Sequence, residues 1–577
     1  MTDAESYNLV DNQFIPVRRR DGASSEESLL SVFAQAHEIR ELAGELPTQS
    51  FAILRVLLAI LQRAIVTADD FDDDREPAEV WGELWRFDKL PMDVIEAYLH
   101  RWHDRFNLFD AERPFMQVAG LRPYNPDNAE GGGLSRIIAD YPNRPERALF
   151  TQRSGAALVS LTFPEAARWL IHCQAFDTGN NKSRAAGDGL VTSNPRGVAG
   201  MNTGWSGKIG GVFIEGESLR ETILLNLVLT DPRHDGSLPD VADVPCWESL
   251  SPQTARYTER IPRGRTDLYS WQARRVLLQA DGGQVTNVLL CPGDVSINVN
   301  THLYEAMTAW KANDKAEFRP VLHQPDKALW RSLSSLLPRV DPKVLRPGVV
   351  SWVAFLASDD GNHALEMRRF LTLRGVGVVY ESQQNAAIGN ITNDALVCSA
   401  KLLDEAHAVL LDQVLACVRE TEDAVAELGR LSFNLDLASG HRESNPDARK
   451  RWAERERRMA AVTSDAYFAI DAEFRQWLAS LDPPGDDSVA DEEYANDAQK
   501  KWRRLVKTIL FDRGNQMASA AGPQGFVGRS VKIGSSDLWM TSARAEQIFR
   551  RALRKILHIE TDEALSSSTN KEGVANA

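Results

Sequence analysis

The chain has 577 residues, of which 43% are hydrophobic and 25% are charged. This length predicts several domains, and the composition is that of an ordinary globular protein with a buried core. The formal net charge of −15 argues against a general electrostatic affinity for nucleic acid. Any DNA binding would therefore require positive charge concentrated on one part of the surface.

We predict no targeting signal in the N-terminal region, which contains one strongly apolar run. Residues 1–12 are polar and acidic, whereas a signal peptide begins with basic residues followed by an apolar stretch. The apolar run at residues 51–66 is shorter than the roughly 20 residues that a bilayer requires, and it contains Arg55 and Arg63. We predict a buried helix with Thr48 as its N-cap, in a cytoplasmic protein that does not contact a membrane.

Helical patterns in the first two-thirds of the chain alternate with long loops. Residues 77–109 and 163–176 have the spacing of helices, and loops rich in glycine, proline and asparagine span residues 120–145 and 177–211. Loops of this length on a compact domain tend to be functional or mobile. The pattern predicts an α+β N-terminal domain with long irregular loops over residues 1–391.

The C-terminal third has the pattern of an all-α domain. Asn445 and Pro446 form an N-cap and first-position pair, and a proline- and acid-rich linker covers residues 483–497. The predicted helices span roughly residues 392–431, 446–481, 498–520 and 541–558. Long helices with short connections predict a four-helix bundle over residues 392–560. The Ser- and Asn-rich residues 561–577 are expected to form a disordered tail.

Basic residues are concentrated on the predicted bundle helices, as in the run Arg449, Lys450 and Arg451. Two interpretations remain open. These side chains could form solvated helix faces that pair with nearby carboxylates such as Glu454. Alternatively, the bias shared by three helices could form a positive groove for a phosphate backbone.

Motifs typical of an enzyme active site are missing from the sequence. There is no GxxxxGK[ST], no GxGxxG after a strand and no GxSxG, and the five cysteines form no CxxC pair. The alternative is a metal-dependent phosphohydrolase in which His100, His103 and Asp104 of the segment HRWHD bind the metal. Without an HExxH motif, structural histidines are favoured. We expect no catalysis, no metal and no cofactor, and a helical scaffold without a nucleic-acid role is a third interpretation.

Three segments carry a resemblance to a known family. The start YNLVDNQFIPV, the stretch FNLFDAERPFMQ and the helix SLRETILLNLV, followed by a helical C-terminus, resemble the CasA family, the large subunit of the type I-E CRISPR Cascade surveillance complex. The resemblance covers the chain in order and implies a non-catalytic DNA-binding subunit. The implied partners are the other Cascade subunits, the CRISPR guide RNA, double-stranded target DNA and the CRISPR helicase-nuclease.

The resemblance also implies how such a subunit recognises DNA. Guide RNA reads the target by base pairing, and the protein reads a short flanking motif, the PAM, from the minor groove. The glycine loop of the family falls at Thr178, Gly179, Asn180, Asn181 and Lys182. Two family glycines are replaced by asparagines, which tolerate left-handed backbone and add hydrogen-bonding groups. The lysine in this loop would suit a phosphate.

A second implied feature is a glutamine wedge that enters the duplex beside the PAM and starts strand separation and R-loop formation. It falls at Gln383, Gln384 and Asn385, with Gln384 favoured as the wedge. The alternative is an ordinary polar turn after the predicted strand at residues 376–380.

The third implied feature is a loop whose aromatic residue seats the subunit near the end of the guide RNA. It falls at Phe150, Thr151 and Gln152, although Phe150 could equally be a core aromatic. For the PAM-contacting lysine of the family, Lys311 is the only candidate that we can name.

Overall fold

A computed structural model of the chain describes residues 5–68, 75–124, 133–139, 159–179, 182–187, 203–230, 242–249, 259–337, 341–366, 370–381, 388–403, 407–440, 448–483, 488–533 and 536–558. At residues 448–452, 488–489, 532–533 and 536 only the backbone is described. The chain divides into two compact units. The N-terminal unit comprises Met1–Leu329 and Ser335–Leu396, and the C-terminal unit comprises Trp330–Ser334 and Val397–Ala577.

The N-terminal part of the chain mixes helices and strands. The helices up to residue 357 are α1 (Leu29–Ala34), α2 (Pro47–Val66), α3 (Pro77–Arg86), α4 (Met92–Arg101), α5 (Phe163–Phe176), α6 (Leu219–Asn226), α7 (Arg265–Tyr269), α8 (Leu333–Leu336) and α9 (Gly348–Ala357). The strands up to residue 399 are β1 (Ile15–Arg19), β2 (Ser24–Glu27), β3 (Ile39–Leu42), β4 (Gly211–Glu215), β5 (Glu259–Arg260), β6 (Arg274–Asp281), β7 (Gln284–Pro292), β8 (Val295–Ser296), β9 (Trp310–Ala312), β10 (Phe318–Pro320), β11 (Val344–Leu345), β12 (Phe370–Tyr380) and β13 (Ile388–Ser399).

These strands form several small sheets. The three-stranded sheets have the orders β2-β1-β3, β10-β9-β11 and β13-β12-β4. Strands β6 and β7 form an antiparallel hairpin in which Asp281 pairs with Gln284. Between them, Gly282 and Gly283 have φ angles of +61° and +80°. Positive φ at both central residues is what the tightest hairpin turn requires, and glycine adopts it without strain.

Helix α2 is the central buried helix of the N-terminal unit. By length and composition it could cross a membrane, yet nearly all of its residues are buried within the unit. Arg55 donates to both carboxylate oxygens of Glu305 at 3.0 and 2.8 Å, and Arg63 donates to both oxygens of Glu248 at 2.8 and 2.8 Å. Because buried charges require such partners, a core helix can carry two arginines. The predicted buried helix is confirmed.

Two details predicted for this region are wrong. The N-cap of α2 is Leu46, with Pro47 at the first helical position, and Thr48 lies inside the helix with its Oγ1 2.9 Å from Nε2 of His172. The single helix predicted over residues 77–109 is divided into α3 and α4. Pro91 precedes α4 as its N-cap, and a proline within a continuous helix would remove a hydrogen bond and clash with the preceding turn.

Helix α5 has the bounds that the sequence predicts. Thr162 accepts a hydrogen bond from the backbone N–H of Glu165 at 3.4 Å, and the Glu165 carboxylate accepts one from the backbone N–H of Thr162 at 3.0 Å. This reciprocal capping box fixes the start of the helix. The helix ends at Phe176, immediately before the predicted DNA-reading loop.

The C-terminal unit is mainly helical. Its further elements are α10 (Ala408–Ser439), α11 (Ala448–Ala479), α12 (Ser488–Ser519), α13 (Gly522–Val527), β14 (Arg529–Ile533), β15 (Ser536–Met540) and α14 (Ser542–Ile556). Helix α10 packs against α11, α12 and α14, and α12 also packs against α11 and α14. Gly440 ends α10 with a φ angle of +62°, the left-handed conformation that commonly terminates a helix.

A short segment from the middle of the chain belongs to this helical unit. It is Trp330–Ser334. The indole of Trp330 stacks on the ring of Phe474 with centroids 4.3 Å apart, and its Nε1 donates to Oδ1 of Asp471 at 2.9 Å. The guanidinium of Arg331 lies 3.6 Å from the ring centroid of Tyr467. The segment thereby supplies a buried aromatic side chain to the core of the unit.

The sequence predictions for the C-terminal region need three corrections. Residues 392–399, predicted as the start of the first helix, lie in β13, and the helix starts only at Ala408. Residues 488–497, predicted as a linker, are the first turns of α12, where Asp491 is buried with its Oδ1 3.1 Å from Nδ1 of His407. The hairpin of β14 and β15 is not predicted from the sequence at all.

Candidate nucleic-acid interface

The loop predicted to read DNA begins at a buried ion cluster. Asp177, the C-cap of α5, is buried and pairs with Nε of Arg274 and with Nζ of Lys182, the latter at 2.8 Å. Burial alone would raise the pKa of the Asp177 carboxyl, but the cations of Lys182 and Arg274 outweigh it and hold this pKa below its usual value. Asp177 is therefore ionised, and it holds both ends of the 178–182 segment.

Arg274 fixes the backbone at the start of this segment. It is the first residue of β6 and is almost completely buried. Its Nη2 donates to the carbonyl oxygen of Thr178 at 2.8 Å, and its Nη1 donates to the carbonyl oxygen of Ala273 at 2.7 Å. The planar fork of a guanidinium makes several hydrogen bonds in fixed directions, so Thr178 and Gly179 leave α5 from a rigid point.

The position of Lys182 changes the role that the sequence indicates for it. Its side chain is 3% exposed, and its Nζ is neutralised by Asp177. A cation buried in this way does not reach a phosphate, so the structure gives it an anchoring role instead of the predicted phosphate contact. Asn180 and Asn181 lie outside the described residues.

The predicted wedge lies in the connection between two neighbouring strands. Strands β12 and β13 are adjacent in the sheet β13-β12-β4 and are joined by residues 381–387. This connection is too short for a parallel crossover, so the two strands form a hairpin. Gln383, Gln384 and Asn385 belong to the connection and lie outside the described residues.

Side chains brace the hairpin against β4 and against itself. Strand β12 pairs with β4 in a register that places Arg374 opposite Phe213. The Nε of Arg374 donates to Oε2 of Glu215 at 2.5 Å, and its Nη1 donates to Oδ1 of Asn393 in β13 at 3.2 Å. The two strands that lead into the predicted wedge are thus held in place by the Arg374 hydrogen bonds and by their pairing in the sheet.

A hydrogen bond joins the residues that lead into the two polar segments. The hydroxyl of Tyr380, the last residue of β12, donates to the carbonyl oxygen of Phe176, the last residue of α5, at 2.8 Å. Tyr380 precedes Gln384 by four positions, and Phe176 precedes Asn180 by four positions. Burial, and then the nearby Asp177 carboxylate, raise the pKa of the Tyr380 phenol, so it stays a hydrogen-bond donor. The described residues that lead into the two segments, Phe176 and Tyr380, therefore lie side by side.

A short turn fills the space beside this contact. Nε1 of Trp205 donates to Oε2 of Glu305 at 2.6 Å, which ties the turn at Trp205–Lys208 to the buried pair of Glu305 and Arg55. Gly207 lies directly against the phenol, so that a Cβ there would overlap the Tyr380 hydroxyl oxygen. Close approach of this kind requires glycine.

Lys208, at the end of the same turn, is a partly buried cation that sequence reasoning did not single out. Its Nζ lies 3.4 Å from both the carbonyl oxygen and Oγ of Ser296. Burial, and then the charge of Arg274, lower its pKa to about 8. Arg274 and Tyr380 were missed too, and only Tyr380, as the last residue of a strand before a polar turn, carried a sequence signal.

The described basic side chains of the C-terminal helices include two contrasting groups. Arg449, Lys450 and Arg451 lie in the first turn of α11, and their side chains are outside the described part. One group is paired with carboxylates within the unit: Arg458 with Asp436, Lys501 with Asp497, Arg503 with Glu420, and Arg550 with Glu546. A second group is exposed and has no carboxylate of the described residues within ion-pair distance: Arg504, Arg551, Arg554 and Lys555.

The first group is thus paired with carboxylates, as one of the two interpretations expects, and the second group is exposed to solvent. Trp502 lies beside these basic residues in the sequence of α12 and, as an aromatic residue, would suit stacking on a nucleotide base, but it is 1% exposed. It packs edge-on against Phe474 and donates from Nε1 to Oγ1 of Thr421 at 3.0 Å. It is a core residue and is not available for stacking.

The geometry of HRWHD does not support a metal centre. Helix α4 ends at Arg101, so His100 and His103 do not share a helix face. His103 Nε2 lies 2.7 Å from Oδ2 of Asp11, and the Asp104 side chain is 99% exposed. Across the described ranges, no group of three His, Cys, Asp or Glu side chains could hold a metal ion.

Two further predicted contacts are not part of the described site. Phe150, Thr151 and Gln152 lie outside the described residues. Lys311 is exposed on β9, the middle strand of the sheet β10-β9-β11. Its contact with a PAM stays a prediction.

Comparisons with known proteins agree on the class that this fold defines, a CRISPR-associated protein. The family described as CRISPR-associated protein Cse1 matches residues 8–512. A CasA/Cse1 protein of Thermus thermophilus is 28% identical over 434 residues, which cover 74% of this chain and 78% of that protein. The crystal structure of Thermobifida fusca Cse1 superposes with a TM-score of 0.79 at 33% identity, covering 96% of this chain and 99% of that one. The crystal structure of Cse1 from Acidimicrobium ferrooxidans superposes with a TM-score of 0.75 at 26% identity, covering 97% of this chain and 99% of that one.

The chain therefore belongs to the Cse1 (CasA) family, the large subunits of the type I-E CRISPR Cascade surveillance complex. The resemblance given by the three sequence segments is confirmed.

Proposed function

We propose that this chain recognises the PAM in double-stranded DNA with residues 178–182 and starts strand separation with residues 383–385. The proposal rests on one observation above all, the hydrogen bond of 2.8 Å from the Tyr380 hydroxyl to the Phe176 carbonyl. It joins the residues that lead into two polar segments, which lie about 200 positions apart in sequence. Two segments whose supporting residues lie side by side can act on neighbouring base pairs of one duplex.

The chemistry of the first segment suits the minor groove. That groove offers acceptors at A·T pairs and one added donor at G·C pairs, so it distinguishes these classes but little else. The amides of Asn180 and Asn181 each provide donors and an acceptor. Arg274 and Asp177 fix the segment from within the protein, because base contacts discriminate only when their backbone is held in place.

The chemistry of the second segment suits a wedge. Unstacking one base step costs on the order of a few kcal/mol, so a wedge has to sit on a rigid support. The paired strands β12 and β13, braced by Arg374 against Glu215 and Asn393, supply that support. Gln384 is the residue that we assign to the wedge.

The C-terminal unit has a supporting role in this proposal. We infer that its long helices form a four-helix bundle and that Arg449, Lys450 and Arg451 contact phosphates of the DNA. The exposed cations Arg504, Arg551, Arg554 and Lys555 add to the same field. Guide RNA and the other Cascade subunits are the partners in the assembly, with Phe150, Thr151 and Gln152 at the RNA end. The chain acts in the cytoplasm without catalysis of its own, and it recruits the CRISPR helicase-nuclease.

The test is R-loop formation by a Cascade complex assembled with the Gln384→Ala chain. We expect the R-loop yield on a target with its PAM to fall about tenfold or more, while weak binding to the closed duplex persists, because compensation for base unstacking is lost. The matched control is Gln476→Ala, which removes an exposed glutamine from α11. An unchanged R-loop yield with Gln384→Ala removes that residue from the proposed role.

A further inference from the structure

Close packing restricts the position of the Tyr380 side chain at its contact with Phe176. The phenol hydroxyl donates to the Phe176 carbonyl oxygen at 2.8 Å. The ring is packed against Gly207, where a Cβ would overlap the hydroxyl oxygen. At Gly204, a Cβ would overlap the carbonyl oxygen of Ala175. Any side chain at either glycine would therefore displace the turn or the phenol.

The carbonyl that accepts this hydrogen bond has a special position. Phe176 is the last residue of α5, and the final carbonyls of a helix lack partners within the helix. The next residue, Asp177, carries the ion pairs to Arg274 and Lys182 that fix the 178–182 segment. The Tyr380 hydroxyl thus bonds to the same turn of chain that holds the first segment.

We propose that Tyr380 is a positioning residue that couples the two segments, so that DNA held at residues 178–182 fixes where residues 383–385 enter the duplex. This inference rests on the proposed function. It adds that PAM reading and strand opening are linked through one hydroxyl group, which need not touch DNA. A displacement of the first segment is transmitted to the last residue of β12, and a displacement of the hairpin is transmitted to the end of α5.

The decisive variant is Tyr380→Phe, which removes one oxygen atom and leaves the ring against Gly207. In a complete Cascade complex, we expect the rate of R-loop formation on a closed duplex with its PAM to fall about 2- to 10-fold. This is the factor that corresponds to the net worth of one hydrogen bond. On a target whose PAM-proximal base pairs are already mismatched and open, the rate should equal that of the unchanged complex, because strand opening is no longer needed.

A matched control removes a buried tyrosine hydroxyl elsewhere in the same unit. Tyr98 belongs to α4, and its hydroxyl donates to Oε1 of Glu248 at 2.7 Å. Tyr98→Phe should lower the stability of the subunit but should leave the ratio of rates on closed and open targets unchanged. Gly207→Ala, which forces the phenol away from Phe176, should change that ratio in the same direction as Tyr380→Phe.

Three outcomes decide between the inference and the function on which it rests. A selective loss on closed targets in Tyr380→Phe, absent from Tyr98→Phe, supports the coupling. Equal ratios in Tyr380→Phe and the unchanged complex overturn the coupling, and a defect in Gln384→Ala in the same assay then leaves the proposed function intact. If Gln384→Ala itself opens closed targets at the normal rate, the proposed wedge and the coupling fail together.

Discussion

The Nη2 of Arg274 donates a hydrogen bond of 2.8 Å to the carbonyl oxygen of Thr178. This bond fastens the first residue of the proposed reading segment to the first residue of β6. With the ion pair of Arg274 and Asp177, it forms a buried clasp in which one guanidinium holds both a carboxylate and a main-chain carbonyl. The accuracy of base reading by residues 178–182 should therefore depend on a residue that lies inside the protein.

The clasp predicts a large effect of Arg274→Met on stability. Removing one partner of a buried ion pair leaves the other charge uncompensated, which costs about 3–5 kcal/mol. Because Lys182 remains beside Asp177, we expect the free energy of unfolding to fall by about 3 kcal/mol, the lower end of this range. Urea unfolding of the subunit measures this change. Arg18→Met is the control, since Arg18 is mostly exposed and pairs with Glu41 at 3.3 Å. It should cost less than about 1 kcal/mol, and equal losses in both variants would refute the clasp.

Lys182→Met separates an anchoring role from a phosphate contact. Each phosphate neutralised by a protein cation contributes about 0.9 to the slope of log affinity against log salt concentration. Because Lys182 is buried on Asp177, the variant should keep the slope of the unchanged complex while it lowers the stability of the subunit. A slope reduced by about one would show that this lysine does reach the DNA.

For the basic residues in the first turn of α11, in contrast to Lys182, we expect a change in the salt dependence of DNA binding. Replacing Arg449, Lys450 and Arg451 together by glutamine should reduce the salt slope of duplex binding by about 0.9 for each lost phosphate contact. Lys501→Gln is the control, because Lys501 pairs with Asp497 one turn away on α12 at 2.7 Å. If the triple variant has the same salt slope as the unchanged complex, these residues form a solvated face.

The two asparagines of the first segment predict a change in sequence preference. Asn180→Ala and Asn181→Ala should alter discrimination between PAM variants by about 1–3 kcal/mol per base pair, which is the usual cost of a mismatched pair in a recognition site. The measurement is competition binding of the complex to duplexes that differ only in the PAM. Equal losses on every duplex would indicate a backbone contact with no role in reading sequence.

Acid should destabilise the N-terminal unit through His172 in α5. Burial lowers the pKa of His172 to about 4, against a smaller opposing effect of Asp177. Between pH 6.5 and about 4 the unfolded chain binds a proton that the folded chain does not, so stability is lost as the pH falls through this window. From about pH 7.5 to about pH 5 the expected loss is about 2 kcal/mol. Urea unfolding of His172→Gln at both pH values should show a smaller difference, and an identical difference would contradict this assignment.

Local sequence signals predicted the elements whose ends are set by nearby residues. Helix α5 has the predicted bounds because Thr162, Glu165 and Pro164 fix its start within one turn. Strand β13 was mistaken for helix because Leu396 and Leu403 have helical spacing, whereas pairing with β12 decides its conformation. Such pairing involves residues distant along the chain, and a local pattern does not report it.

The sequence led to a proposal for the candidate site in outline only. The composition of the polar segments, and the family resemblance, pointed to residues near 180 and near 384. The residues that hold them were not visible, because Arg274 lies 97 positions from Asp177, and Tyr380 lies 204 positions from Phe176. The sequence also misassigned Lys182, since exposure is a property of the folded chain and a basic residue in a polar loop is normally exposed.

The insertion of Trp330–Ser334 into the helical unit has a consequence for modularity. A gene fragment that starts at Val397 would encode all the long C-terminal helices but not the indole that stacks on Phe474. Such a fragment would leave a hole of tryptophan size in its core and an Asp471 carboxylate without its donor. A single recombination crossover near Val397 would therefore exchange the C-terminal helices but not Trp330. The exchanged unit would be stable only if the incoming helices fit the tryptophan that the N-terminal part of the chain retains.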